Sequence, residues 1–252
     1  AMYFGRDFQS FNRGGIVKKS PYEALGKPED YKVTMEDFTT SNLRMKWKKP
    51  LPDLTAGLSY GDRFFDDKLG VMLAGSFLST SRGKESRLYY QPGTSHNGIE
   101  YRNYSSEQTR IGMHAKLDYS LNDNHKLTWY NGYMDMSEAE VRDGEDEKER
   151  AVRMRWNHQY IINSTLKGEH LFLSGGALRL NWSAVLSKAF SETPDNAEIY
   201  LLGSHVSTTD AAKRRWEHNS DKDKAGYVDL AYKLKLDGGA ILDFSAGGMY
   251  RD

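Results

Sequence analysis

The sequence predicts an all-β fold: an antiparallel transmembrane β-barrel segment of about eight or nine long meander strands with short turns and long loops. Three observations predict it. Apolar and polar residues alternate with a period of two over most of the chain. The connections between alternating segments are short and long in strict turn. Trp and Tyr fall on the alternating segments rather than between them.

Residues 1–53 show no sustained alternation and read as an irregular region, in which Thr39–Lys46 fits a short helix as well as a strand. Barrel strands are expected from 54 to 252. Leu54 to Phe64 and Leu69 to Ser79 flank Phe65-Asp66-Asp67-Lys68 as a first hairpin. From 110 to 121 the odd positions are Ile111, Met113, Ala115, Leu117, Tyr119 and Leu121, with polar or small residues between them. Asn122 to His125 supply the turn, and Lys126 to Met136 return through Leu127, Trp129 and Tyr133.

The segment from 150 to 172 is the most diagnostic. Its even positions run Val152, Met154, Trp156, His158, Tyr160, Ile162, Ser164, Leu166, Gly168, His170 and Phe172 without a slip of phase. A turn inside it would reset the parity, so it reads as one strand of roughly 70 Å at ~3.3 Å per residue. Leu173 to Ala177 form a tight turn, and Leu178, Leu180, Trp182, Ala184 and Leu186 give the next apolar face. Val228, Leu230, Tyr232, Leu234 and Leu236 give another, reversed by Asp237-Gly238-Gly239 into Leu242, Phe244, Ala246, Gly248 and Tyr250.

The short connections lie near 65–68, 122–125, 173–177 and 237–240, and long polar ones are expected at roughly 80–107, 138–149 and 191–225. Outer-membrane barrels have this asymmetry, with short periplasmic turns and longer external loops. Tyr119, Trp129, Tyr133, Trp156, Tyr160, Trp182, Tyr232 and Tyr250 sit where interfacial girdles need aromatics, although aromatics favour strands generally. Composition bounds the alternatives. No run approaches the ~18 apolar residues of a spanning helix, yet a mean hydropathy of −0.73 remains compatible with a barrel, whose strands meet lipid on one face only. The 35 Lys and Arg balance 35 Asp and Glu, so no nucleic-acid partner is expected. The absence of Cys excludes disulfide scaffolds and thiolate zinc sites. The chain opens without a signal peptide and stops directly after an alternating segment, which reads as a piece of a longer protein.

The stretch from Leu54 to Phe77 resembles an early barrel hairpin of TonB-dependent outer-membrane receptors, and Arg110–Tyr133 and Gly175–Glu192 resemble mid-barrel strands of that family. The resemblance is one of style and spacing over most of the chain. It implies a partial barrel domain in the outer membrane of a Gram-negative bacterium. The implied partners are outer-membrane lipid, a plug domain, the remaining barrel strands, an inner-membrane energy-coupling complex and a small nutrient ligand such as a siderophore, cobalamin, glycan or peptide. The chain departs from the complete family pattern: it carries no plug domain, no energy-coupling box and no terminal aromatic assembly signal. Two other readings stand beside it: a small self-contained outer-membrane barrel (an adhesin or a lipid-modifying enzyme), and a soluble all-β carbohydrate-binding domain.

No catalytic motif is present, so an enzyme is not expected, and no cofactor or metal site is expected either. His158 and His170 share an apolar face but stand ~40 Å apart along one strand, too far to share a metal. The acidic run from Asp143 to Glu149 lacks the spacing of a calcium loop and reads as a solvated loop. The basic cluster Lys213 to Trp216 reads as solvated surface, or as a contact for lipopolysaccharide phosphates or an anionic ligand. Loops near 81–105 and 191–224 are the candidates for ligand capture, with Tyr89, Tyr90, Tyr101, Tyr104 and Trp216 as contact aromatics. Arg110, His114, Lys116, Asp118, Arg153, Arg155, Asn157 and Gln159 form the expected lumen-facing polar set, either lining a solute path or forming a hydrated wall.

Overall fold

Alternation of this kind lets one face of each strand pack or stay apolar while the backbone ladder runs on, and the chain builds a single long meander from it. The computed structural model describes residues 8–26, 32, 34–37, 43–89, 98–173, 175, 177–202, 205–206, 212–236 and 239–252. Its strands are β1 (Phe8–Phe11), β2 (Met45–Lys48), β3 (Leu54–Phe64), β4 (Leu69–Tyr89), β5 (Ile99–Asn122), β6 (His125–Glu145), β7 (Glu149–Phe172), β8 (Leu178–Leu202), β9 (His205–Val206), β10 (Lys213–Lys235) and β11 (Ile241–Arg251). The main sheet has the order β11-β10-β8-β7-β6-β5-β4-β3, all antiparallel, with β9 paired to the end of β8. It is an open sheet with β3 and β11 as its edges, not closed into a barrel.

The turns expected near 65–68, 122–125 and 173–177 close three hairpins. Phe65, Asp66 and Asp67 take φ of 57°, 51° and 63°, and Leu173 and Gly175 take 65° and 69°. Successive positive φ values give a two-strand connection the twist of its flanking strands. Residues 150–172 do form one uninterrupted strand within β7.

Cross-strand partners share a face, so the register assigns every side chain. The row Val71–Leu117–Trp129–Leu166–Ala184 runs across five strands, and Leu69–Tyr119–Leu127–Gly168–Trp182–Val228 runs beside it. These rows belong to one apolar band. All eight strand aromatics singled out above, Tyr119 to Tyr250, stand on that same face. The band is open to the surroundings: Leu58, Met113, Leu166, Leu186, Phe244 and Tyr250 are 40–81% exposed. It spans from Leu69 to Phe77 in β4 and from Ile111 to Tyr119 in β5, about nine residues in each.

The long connections differ from expectation. Most of 80–107, 138–149 and 191–225 is strand: β4 and β5 continue to Tyr89 and from Ile99, and β6 and β7 approach to Glu145 and Glu149. Beyond the band both faces carry polar residues, so pairing persists where alternation fades. In β8 the proline hid the strand. Pro194 cannot donate to a ladder, and the chain passes it with Asp195 at φ 55° and a register shift opposite Arg215/Glu217. The shift changes the parity: Glu192 lies on the apolar side below it, and Ala197 and Ile199 lie there above it.

The N-terminal region covers the same face above the band. β1 pairs with β2, Phe11 opposite Met45. Of Thr39–Lys46, residues 39–42 lie outside the described residues, while Met45 and Lys46 are strand. A short helix forms elsewhere, α1 at Pro21–Leu25, with a Ser20–Glu23 capping box and Gly26 closing it at φ 58°. Phe11 packs into Ala139, Val141, Val152 and Met154, with Ile16, Leu43, Trp156 and Ile199 around them. Met154 is 2% exposed, so Met154→Ala leaves a cavity beneath β1. It is expected to lower the unfolding free energy by roughly 2–5 kcal/mol, read in a denaturant titration followed by the adjacent Trp156 fluorescence.

Candidate functional site

The opposite face of the sheet is where the polar side chains gather. Arg110, His114, Lys116 and Asp118 on β5 and Arg153, Arg155, Asn157 and Gln159 on β7 all stand on it, their partners on β6 being Met136, Gly132, Tyr130 and Thr128, then Arg142, Glu140, Glu138 and Met136. Met72, Met134 and Ile161 are exposed apolar interruptions of this face. The polar set falls into three groups. Asp118 Oδ2 meets Arg63 Nη1 at 3.3 Å and Lys126 Nζ at 3.6 Å near the turn end. His114 Nδ1 lies 2.7 Å from the Tyr130 hydroxyl. Glu140 bridges Arg153 at 2.6 Å and Arg155 at 3.2 Å, while Thr193 donates to Asn157 at 2.9 Å.

At the loop end of this face a cavity of about 140 Å³ is lined by Glu100, Arg102, Arg142, Arg153, Glu149, Glu198 and Tyr200 among others. Arg102 donates to both oxygens of Glu100, at 2.5 and 2.7 Å, which holds the guanidinium proton more tightly than usual. Arg142 lies over Tyr104 at 5.8 Å. The wall therefore presents cations and carboxylates side by side, suited to polar or zwitterionic groups rather than apolar ones.

The contact aromatics do not form one cluster. Tyr101 pairs with Arg87, whose guanidinium lies 5.4 Å from its ring, while Tyr104 points to the other face. Tyr89 ends β4 and is 69% exposed. Tyr90 lies outside the described residues. Trp216 serves the N-terminal region instead, donating to the Val17 carbonyl at 2.8 Å.

Sequence reasoning missed two histidine arrangements on the apolar side. His125 and His170 are direct partners across β6 and β7, with Nδ1 atoms 3.1 Å apart, and Trp182 Nε1 donates to His170 Nε2 at 3.0 Å. Counting back from the 122–125 turn and forward to 173 would have paired them. His158 stands at the upper margin of the band between Asp135 (2.8 Å) and Glu192 (3.2 Å), with Trp156 stacked on it. Among the described residues no group of three or more His, Asp or Glu is arranged to hold a metal ion.

Carboxylates hold the N-terminal region in place. Gln9 donates to Asp143 Oδ2 at 2.6 Å, and Arg150 donates to both oxygens of Asp143 at 2.8 and 2.7 Å. Burial pushes the Asp143 carboxyl up, but the bonds from Arg150 and Gln9 and the Arg150 charge outweigh it, leaving it below the usual carboxylate range. Glu107 behaves alike: burial raises it, and the Lys48 bond at 2.7 Å, the Lys48 and Arg13 charges and the Ser10 hydroxyl bring it lower overall. Of the acidic run only Asp143 belongs to this buried clamp; Glu145, Glu147 and Lys148 at the turn are exposed, as expected of a solvated loop.

Both folded-state pKa values are depressed, so the clamp contributes in full above the ordinary carboxylate values of ~4 and is lost as pH falls through the lowered ones. Backbone amides of Phe8–Phe11 are expected to be protected from hydrogen exchange at neutral pH and to lose protection only as pH falls below the ordinary carboxylate range. Asp143→Asn, which removes this dependence at one of the two sites, is expected to weaken protection at neutral pH and flatten the acid transition.

Compared with known families and curated proteins, the chain matches no family model and no curated sequence, so its function rests on its own surfaces.

Proposed function

We propose that this chain is part of the wall of an outer-membrane receptor of the TonB-dependent type, which binds a small nutrient and imports it. One observation carries the reading: the open apolar band on one face, about nine residues tall, backed by a polar face across the same strands. Soluble monomers rarely leave contiguous apolar patches larger than a few hundred Å² uncovered. Lipid is the medium that such a band suits, and a hydrated lumen suits His114, Lys116 and Asp118 behind it. The strands outrun the band by their whole loop-end halves, where ion pairs replace apolar side chains. That is the form of a wall that projects beyond a bilayer. The two bare edges, β3 and β11, are the places where further strands of such a barrel would pair, since open edges are not tolerated in lipid. The cation- and carboxylate-lined cavity at the loop end then faces the solute path.

Trp129 and Trp182 lie in the band, whereas Trp156 and Trp216 lie above it. In single-Trp variants reconstituted into vesicles with brominated acyl chains, the first pair is expected to be quenched and the second spared. Leu117→Arg, at mid-band, is expected to cost roughly 2–4 kcal/mol of folding stability in the bilayer. Refolding without detergent into a cooperative monomer, with no quenching, would overturn the membrane reading. Import has a separate test. Cells lacking the receptor that contains this chain should lose uptake of one nutrient among iron chelates, cobalamin, oligosaccharides and peptides, and uptake should need the energy-coupling complex. Unchanged uptake of all four classes would remove the transport role.

A further inference from the structure

The basic run Lys213 to Arg215 has internal partners. Lys213 Nζ lies 5.6 Å from the Tyr200 ring, Arg214 is tied to the buried Asp195 at 2.6 Å, and Arg215 pairs with Glu217 at 2.7 Å. A second basic set lies lower on the sheet: Lys188, Lys222 and Lys224 all point to the apolar face. Lys188 is the direct cross-strand partner of Lys222, and Lys224 is the partner of Leu186. Their stems therefore leave the sheet within ~5–8 Å of one another, directly above the apolar positions Leu178 to Leu186 of β8.

Three ammonium groups so placed repel, and little on the molecule offsets them. Asp221 and Asp223 alternate to the opposite face, where Asp223 accepts from Arg251 at 2.8 Å. Glu192, the nearest carboxylate above, is engaged by His158, His218 and Lys18. Asp252 exchanges backbone bonds with Lys224, but none of the three lysines has a carboxylate within 4 Å among the described residues. Lys188 has one neighbour of another kind, the Tyr160 ring 5.4 Å away, itself stacked on Phe190. Below the lysines the face turns apolar at once, with Ala184, Gly226 and Val228.

We propose that Lys188, Lys222 and Lys224 bind the phosphates of an anionic lipid in the leaflet nearest the loop end. The proposal rests on the membrane reading above. Lysine stems run along apolar surface while their ammonium groups reach the headgroup level, and Tyr160 and Phe190 stand at the boundary where aromatic rings settle. Phosphate matches the site because a single headgroup accepts from two or three ammonium groups at once and removes their repulsion.

The test uses the purified protein in phosphatidylcholine vesicles with or without diphosphoryl lipid A, with lipid bound per protein measured by native mass spectrometry. The wild type is expected to retain lipid A, and K188Q/K222Q/K224Q to bind it at least tenfold more weakly. K188R/K222R/K224R should keep it, and K213Q/R215Q should leave it unchanged. Equal retention by the triple Gln variant, while Trp129 and Trp182 remain quenched, overturns this site and leaves the membrane reading standing. No insertion of the wild type into neutral vesicles overturns the membrane reading itself. Complete displacement of lipid A by inorganic phosphate identifies a free-anion site and overturns the lipid assignment.

Discussion

Every side chain of the main sheet owes its face to the register of one antiparallel ladder running from β3 to β11. A slip of one residue in any strand would move its apolar set to the polar side. The hairpin turns near 65–68, 122–125 and 173–177 hold that register at one end, and the positive φ values in the first and third match the twist of the paired strands. The Pro194 bulge resets the parity in β8. It turns Ala197 and Ile199 toward the N-terminal region and lets Asp195 close on Arg214.

That reset divides the apolar face into two regimes. Below it the face is bare, and its side chains stand exposed. Above it the face is covered by β1 and β2, which bring Phe11 to Val141 and Met154 and satisfy Ser105, Glu107 and Asp143. Buried carboxylates are stable there because each has a cation or a donor placed against it. His158, Glu192 and the three outward lysines mark the seam between the two regimes, where the surroundings change from apolar to aqueous.

The proposed function rests on the two faces of the main sheet. The bare band asks for an apolar medium, and the opposite face asks for water. The loop-end cavity with Arg102, Arg142 and Glu100 offers polar recognition at the mouth of such a wall. The lysines at the band margin are the proposed contact with that medium. These properties belong to one sheet seen from its two sides, and the proposed role as a wall between lipid and solute draws on both.

Periodicity alone determined which residues share a face, where the tight hairpin turns fall and that 150–172 is one strand. A two-residue period reports contrast between two faces, and the band supplies that contrast. Only the tertiary structure decided how far the strands extend. Around Ser105, Glu140 and Asn196 both faces are polar or newly buried, so the contrast vanishes although the ladder continues. It also decided that residues before 54 build a cover, that Asp143 is clamped by Gln9 and Arg150, and that His125 meets His170. Those contacts join positions distant in the chain, and alternation along a strand carries no information about what lands on its face.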